Sequence, residues 1–271
     1  MGSPEALSAD WLALCRRAAA SARTAVAPFD GPAARARETW RGEGGDMALA
    51  IDRAAEDAVL AELERFGVGA RVVTEERGEV TVAGGGPLVV VLDPIDGSLN
   101  AKRAMPWHAV SIAVASGGTM ADVEFGYVAT FDGSEEWWAR RGEGAWLGDA
   151  RLDLSRAGGE LEVLEVESAR PDLAAAAGEQ LAATGARRLR MIGSIALSLC
   201  YVGGMRFDAM LSLRSCRSVD AAAAQLVVRE AGGVVSFPDA GGEDLSASLD
   251  LDMRSRVLAA TRRELLDAVS G

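Results

Sequence analysis

The sequence predicts a layered α+β / α/β fold. An α+β half, residues 1–150, precedes an α/β half, residues 151–271, and the two form one compact unit with a cleft between them. Three observations carry this reading. Two helical patterns lead the chain, short β-rich runs divided by glycine turns fill its middle, and strands alternate with helices beyond about Asp149. With 271 residues, 49% of them hydrophobic, there is enough apolar material for a sizeable core.

The first helix is expected over residues 8–27, which are rich in alanine. The second is expected over residues 52–66, where Ala54, Ala55, Ala58, Val59 and Leu63 recur at helical spacing and Gly67 supplies a stop. From Gly78 to Leu147 the runs are short and β-rich: residues 80–82, 88–92, 110–115, 123–128 and 136–139. Gly84, Gly85 and Gly86, and later Gly117 and Gly118, mark turns between them. The second half reads as a strand at 161–167, a helix at 171–183, a strand at 188–191 and a helix at 194–202. A strand at 207–213, a helix at 219–231, a strand at 234–237 and a closing strand and helix over 257–269 complete it. No fixed-period repeat and no Pro- or Ser-rich linker separates the halves, so a cleft at their shared interface is the default place for a ligand.

Composition removes several functions. The net charge is −12 and no basic block is present, which excludes a nucleic acid polymer as partner, because backbone binding needs clustered Lys and Arg. The longest clean apolar run, residues 88–92, falls far below the roughly 18 residues of a membrane span, so no membrane partner is expected. Glu5 and Asp10 precede Trp11 while Arg16 and Arg17 follow it, the reverse of a secretory signal, and the expected location is cytoplasmic. Cys15, Cys200 and Cys216 stand far apart without a CxxC and read as buried free thiols. His108 is the single histidine, and its expected role is structural. Lys102 lies outside any Gly-Lys-Ser/Thr element, and no serine occupies a Gly-x-Ser-x-Gly elbow. The chemistry must lean on carboxylates.

One string concentrates them. Residues 89–92 run straight into Asp93-Pro94-Ile95-Asp96-Gly97-Ser98-Leu99-Asn100. Two ionised aspartates three positions apart on a loop repel each other, and a divalent cation between them relieves this. Hard oxygen ligands favour Mg²⁺ over zinc. Pro94 stiffens the loop, Gly97 permits close backbone approach, and Ser98 suits the start of a helix whose N–H groups attract an anion. A plain turn with a helix cap would explain an arbitrary Asp-Gly pair but not the whole eight-residue string. That string resembles the Asp-Pro-x-Asp-Gly-Thr/Ser-x-Asn signature of the inositol monophosphatase superfamily, the Mg²⁺-dependent, Li⁺-sensitive sugar phosphatases.

Further elements match in order over roughly residues 35–240. Val72-Val73-Thr74-Glu75-Glu76 stands where a second acidic element belongs, and Val219-Asp220-Ala221-Ala222-Ala223 where a third does. Asp46 and Asp52 form the early acidic element, with Arg41 where relatives often carry Lys, and residues 140–146 look like the Gly-x-Gly-Ala hairpin. Ser98 replaces the commoner Thr, Val219 the usual Trp and Thr74 a Gly. The segment before Asp220 lacks the Glu of inositol-selective relatives and carries Arg214 and Arg217 instead. Met105-Pro106-Trp107 and Phe125-Gly126-Tyr127-Val128 look more like the archaeal-type inositol monophosphatase/fructose-1,6-bisphosphatase branch.

The resemblance implies an αβαβα layered sandwich, a homodimer, and two or three Mg²⁺ ions per site. One ion would be held by Glu75, Asp93 and the Ile95 carbonyl, a second by Asp93, Asp96 and Asp220. Ser98, hydrogen-bonded to Asp52, would position the attacking water with Glu75, while Gly97 and Ser98 amides grip the phosphate. Arg41, Ser168, Ser194, Arg214 and Arg217 would contact substrate. For Arg214 and Arg217 a phosphate clamp and an ordinary ion pair both remain open. The implied reaction is phosphate release from a small phosphate ester, inositol 1-phosphate first. Fructose 1,6-bisphosphate, histidinol phosphate and 3′-phosphoadenosine phosphates are the alternatives, and an inactive binding protein on the same fold is the non-enzymatic one.

Overall fold

A computed structural model describes residues 7–36, 38–41, 47–168, 170–241 and 245–270. Helix α1 (Trp11–Val26) starts where Asp10 Oδ1 accepts the Ala13 N–H at 3.0 Å. Its residues Trp11, Leu14, Cys15, Ala18, Ala22 and Val26 line one face of the helix and are buried. The short α2 (Gly31–Arg35) and the paired strands β1 (Glu38–Arg41) and β2 (Met47–Leu49) lead into α3 (Ala50–Phe66). Gly67, at φ 77°, ends α3 in the left-handed conformation that glycine adopts without penalty.

The main sheet contains β3 (Ala70–Thr74), β4 (Gly78–Val82), β5 (Leu88–Asp96), β6 (Ala109–Ala115), β7 (Val123–Thr130), β8 (Glu136–Arg140), β9 (Gly144–Leu147) and β10 (Ala150–Arg151). Its eight strands run in the order β10-β9-β8-β7-β6-β5-β3-β4. The single-turn helix α4 (Ser98–Lys102) separates β5 from β6. The second sheet holds β11 (Val163–Glu167), β12 (Arg188–Arg190), β13 (Ala209–Ser212), β14 (Val234–Ser236) and β15 (Leu258–Ala260) in the order β12-β11-β13-β15-β14. Between and after these strands lie α5 (Pro171–Ala176), α6 (Gly178–Ala183), α7 (Ile195–Gly203), α8 (Ser218–Glu230) and α9 (Arg263–Ser270).

Strand periodicity sorts the core into layers. Val72, Val90 and Ile112 face α1 and α3, packing on Leu14, Ile51 and Val59. Val73, Val91 and Ala113 point the other way, toward Leu199 of α7 and Ala222 and Leu226 of α8, which also meet Met210 and Ala259 of the second sheet. The outer face of that sheet, with Leu164, Leu211 and Leu258, is covered by Leu265 and Val269 of α9. The result is helix, sheet, helix, sheet, helix. β5 is buried on both faces, and its first five residues, 88–92, accordingly read as an unbroken apolar run.

Two details bring acidic residues together. β3 and β5 are parallel, with Thr74 opposite Leu92, so Glu75 and Asp93 stand side by side one residue beyond that pairing. On β5 the pairing with β6 steps from Asp93↔Ser111 to Asp96↔Ala109, three residues against two. On a regular strand positions three apart face opposite sides; this bulge at Pro94 and Ile95 lets Asp93 and Asp96 share one cavity. Gly126 of β7 admits α8 closely: a Cβ there would stand 2.4 Å from the Ala223 carbonyl oxygen.

The expected helix over 171–183 is two short helices, α5 and α6, meeting at Ala177 and Gly178, where glycine weakens helical continuity. The second sheet is mixed, because β15 pairs antiparallel with both β13 and β14. Among the described residues, no helix is long and apolar enough to cross a membrane. Trp137 is core, whereas Trp138 stacks on Trp146 with centroids 4.0 Å apart. His108 stacks on Phe131 at 5.3 Å and holds the Met105 carbonyl through Nδ1 at 3.0 Å.

Candidate active site

Glu75 follows β3, Asp93 lies in β5, and Asp220 sits in the first turn of α8. Each offers one carboxylate oxygen, and the three oxygens lie within 4.8 Å of one another. Asp220 is fixed by its helix start, since its Oδ2 accepts the Arg217 N–H at 2.7 Å. Asp96 is held from the second half of the chain: Ser194 Oγ donates to its Oδ2, and the Ala196 N–H donates to the same oxygen at 3.0 Å.

The turn carrying Ser194 is gripped on both sides. Glu165 Oε1 accepts the Ile192 N–H at 2.8 Å, while Glu167 Oε1 accepts Gly193 N–H, Ser194 N–H and Ser198 Oγ–H at 3.1, 3.0 and 2.7 Å. Opposite them, Asn100 Nδ2 donates to the carbonyls of Ile192 at 2.8 Å and Trp107 at 2.9 Å. Sequence reasoning passed over Glu167 and the side chain of Asn100. The signal available for Asn100 was its place in the signature string; a lone Glu at a strand end gave none for Glu167.

These elements enclose a cavity of about 370 Å³ lined by Asp52, Glu75, Glu76, Asp93, Ile95, Asp96, Gly97, Ser98, Lys102, Arg217 and Asp220, among others. A neighbouring cavity of about 600 Å³ shares Asp96, Leu99 and Asp220 with it and adds Ser168, Arg170, Met191 and Gly193. Burial, then the charges of Glu75, Asp96 and Asp220, raise the Asp93 pKa well above the ordinary carboxylate value. Burial raises Asp96 likewise, against the Ser194 hydroxyl. Glu75 is pushed up to about 7 by burial, with Arg217 pulling it back, and Glu76 to about 8 by burial and the Glu75 charge. Asp52 stands at about 6, raised by burial against the Leu49 amide and Ser98 hydroxyl.

The donor set fits a hard divalent cation. Carboxylate oxygens converge, burial penalises their charge, and Asp52 Oδ1 and Glu76 Oε2 are buried without a hydrogen-bond partner among the described residues. The cation that does reach the cluster is Arg217. Its Nη2 pairs with Glu75 Oε1 and lies 3.8 Å from Asp220 Oδ1. Burial works against the charge on Arg217, but Glu75, Asp220 and Asp93 more than offset it and raise its pKa.

Other expected residues fall differently. Ser98 Oγ donates to the Ile95 carbonyl at 3.0 Å, with its hydroxyl also close enough to Asp52 to pull that carboxyl's pKa down. Ser194 is 1% exposed, its hydroxyl engaged with Asp96 and capping α7 through the Leu197 N–H at 3.3 Å, so it supports the site instead of facing substrate. Arg214 does not reach the acidic cavity. Cys216 pairs with Ser255 in an isolated antiparallel bridge, which turns residues 213–215 aside, and Arg214 lines a separate cavity with Asp239, Arg254 and Arg256. Asp46 and the Arg41 side chain lie outside the described residues.

Comparison with known proteins agrees with this geometry. Residues 12–270 match the inositol monophosphatase family. A fructose-1,6-bisphosphatase/inositol-1-monophosphatase of Methanothermobacter thermautotrophicus is 31% identical over 275 residues, covering 96% of this chain and 95% of the relative. One of the same name from Archaeoglobus fulgidus is 33% identical over 260 residues, covering 94% of each. Among solved structures, an inositol monophosphatase-fructose 1,6 bisphosphatase superposes with a TM-score of 0.82 at 23% identity, covering 96% of this chain and 98% of its own. The Thermotoga maritima IMPase gives 0.76 at 24%, covering 96% and 97%. From the signature string, the layered fold and these matches together, the chain belongs to the inositol monophosphatase family.

Proposed function

We propose that this phosphatase is Mg²⁺-dependent and releases phosphate from a small sugar or polyol phosphate, with inositol 1-phosphate as the leading substrate. The observation that carries the reading is the convergence of Glu75, Asp93 and Asp220 within 4.8 Å, in a cavity that Gly97 and Ser98 also line. Glu75, Asp93 and the Ile95 carbonyl would hold one ion, and Asp93, Asp96 and Asp220 a second. When bound, Mg²⁺ supplies positive charge to the phosphoryl and leaving oxygens and lowers the pKa of the attacking water.

The chain's own groups do the rest. Ser98, with Glu75 and Asp52 on the same cavity wall, orients the water. The backbone at Gly97 and Ser98 takes the phosphate, and the adjoining cavity with Ser168 and Met191 has room for the sugar or polyol. A second reading, fructose 1,6-bisphosphate, is favoured by Lys102, a cation on the cavity wall that suits a further phosphate. The names of the archaeal relatives carry both activities and support this pair.

Phosphate release from a panel of inositol 1-phosphate, fructose 1,6-bisphosphate, histidinol phosphate and 3′-phosphoadenosine phosphates, with Mg²⁺ or with excess chelator, tests the proposal. Release on at least one ester that stops in chelator is expected. Undiminished release in chelator would overturn the metal dependence, and no release from any ester would favour a binding protein. Inhibition by Li⁺ and a homodimer in light scattering belong to the same reading.

A further inference from the structure

Arg217 stands inside the acidic cluster, not at its rim. Its side chain is 15% exposed, and its guanidinium pairs with Glu75 and comes within 3.8 Å of Asp220, two of the three carboxylates that converge. Those two come from distant parts of the fold, the end of β3 and the first turn of α8, and the guanidinium spans the gap between them. The backbone N–H of the same residue binds the other oxygen of Asp220. The residue is therefore built into the cluster through both main chain and side chain.

A guanidinium is a donor-only group whose planar fork matches carboxylates. It carries one positive charge, where the convergence of Glu75, Asp93 and Asp220 calls for more. The oxygens it occupies belong to the same carboxylates that would ligate an ion, and two cations drawn to them also repel each other. We infer that Arg217 is a displaceable internal cation, and that its guanidinium and a divalent metal ion compete for Glu75 and Asp220. This rests on the reading of the cluster as a metal centre. Two consequences follow. The metal-free chain keeps its acidic cluster folded by neutralising it internally, and metal binding is weaker than the carboxylates alone would give, because the ion must first displace the arginine.

The test is calorimetric titration of Mn²⁺ and of Mg²⁺ into the metal-stripped full chain, native and Arg217→Met, with thermal melts of each before and after metal. Methionine keeps the reach of the side chain, removes its charge and offers no hard oxygen to the ion. Arg217→Met should bind metal about tenfold more tightly, close to 1.4 kcal/mol. Its metal-free Tm should fall, and its rise in Tm on adding metal should exceed that of the native chain. Arg217→Lys, whose ammonium lacks the bridging fork, should bind about threefold more tightly than native. It carries the comparison if the Met variant does not fold. Folded variants that bind metal no better than native overturn the inference and leave the metal-centre reading intact. Absence of binding of either ion to the native chain and to the folded variants alike removes both.

Discussion

The hydroxyl of Ser194 donates to Oδ2 of Asp96 across 98 residues of sequence, joining the start of α7 to the bulged end of β5. The same hydroxyl oxygen accepts the Leu197 N–H at 3.3 Å. One atom thus caps a helix and orients an acidic side chain of the site. The carboxylate of Glu167 and the amide of Asn100 hold the turn on which it sits.

Ser194→Ala should therefore separate stability from function. Loss of the cap costs about 1 kcal/mol, read as a small fall in the denaturant midpoint. Asp96 also loses its side-chain donor, so metal affinity and kcat/KM should fall roughly tenfold or more, equivalent to about 1.4 kcal/mol. A variant with the stability loss but native metal affinity would show that the Ala196 N–H suffices to place Asp96.

Asp93→Asn should do the opposite to stability. Asp93 is pressed by Glu75, Asp96 and Asp220, and the amide removes one charge from that group at constant size. The metal-free variant should melt higher than the native chain while turnover is abolished, since the carboxylate shared by both proposed ions is gone. Near-native hydrolysis would rule out a shared metal ligand at this position.

Gly97→Ala tests the close approach behind the cavity. Gly97 has φ +86°, and a Cβ there would lie 2.7 Å from the Trp107 carbonyl oxygen and 3.3 Å from that of Gly193. Both carbonyls are gripped by Asn100, so neither yields easily. A loss of about 1–3 kcal/mol by chemical denaturation is expected, with activity lost as well. Gly142→Ala is the control: φ is +74° there, but no atom lies within 4 Å of the added Cβ, so strain acts alone and activity should persist. Equal losses in the two variants would show that the contact with Trp107 adds nothing.

What the sequence made legible was what local pattern encodes. The run at 88–92 reads as a buried strand because β5 is covered on both faces, and the paired aspartates Asp93 and Asp96 stand out by composition, whereas Glu75 and Asp220 were legible only through the family resemblance. The bulge between Asp93 and Asp96 is invisible there, because it depends on pairing with β6. Arg214 and Arg217, three positions apart in one arginine-rich segment, look equivalent until the bridge from Cys216 to Ser255 sends them to different cavities. Glu167 reaches Ser194 N–H and Ser198 only through the parallel packing of β11 and β13 and the docking of α7. Contacts of that sequence separation leave no periodic trace.

Glu165 gives a prediction about pH that is independent of the metal ligands. It is fully buried on β11; its Oε1 accepts the Ile192 N–H, and its Oε2 has no hydrogen-bond partner among the described residues. Burial pushes its pKa from 4.5 to about 8, against the Ile192 N–H and with the Glu167 charge adding to the rise. A carboxyl whose folded pKa lies above its unfolded value binds its proton more tightly in the fold. Its contribution to stability is complete below about pH 4.5 and is lost as pH rises toward 8. Glu165→Gln keeps an oxygen for the Ile192 N–H and stays neutral throughout. Its Tm should lie close to native near pH 5 and rise above native near pH 8.5, by about 2–4 °C for each kcal/mol recovered in a chain of this size. Parallel melting curves at both pH values would mean that Glu165 titrates at its ordinary value, with water reaching the carboxyl beneath the Ser194 turn.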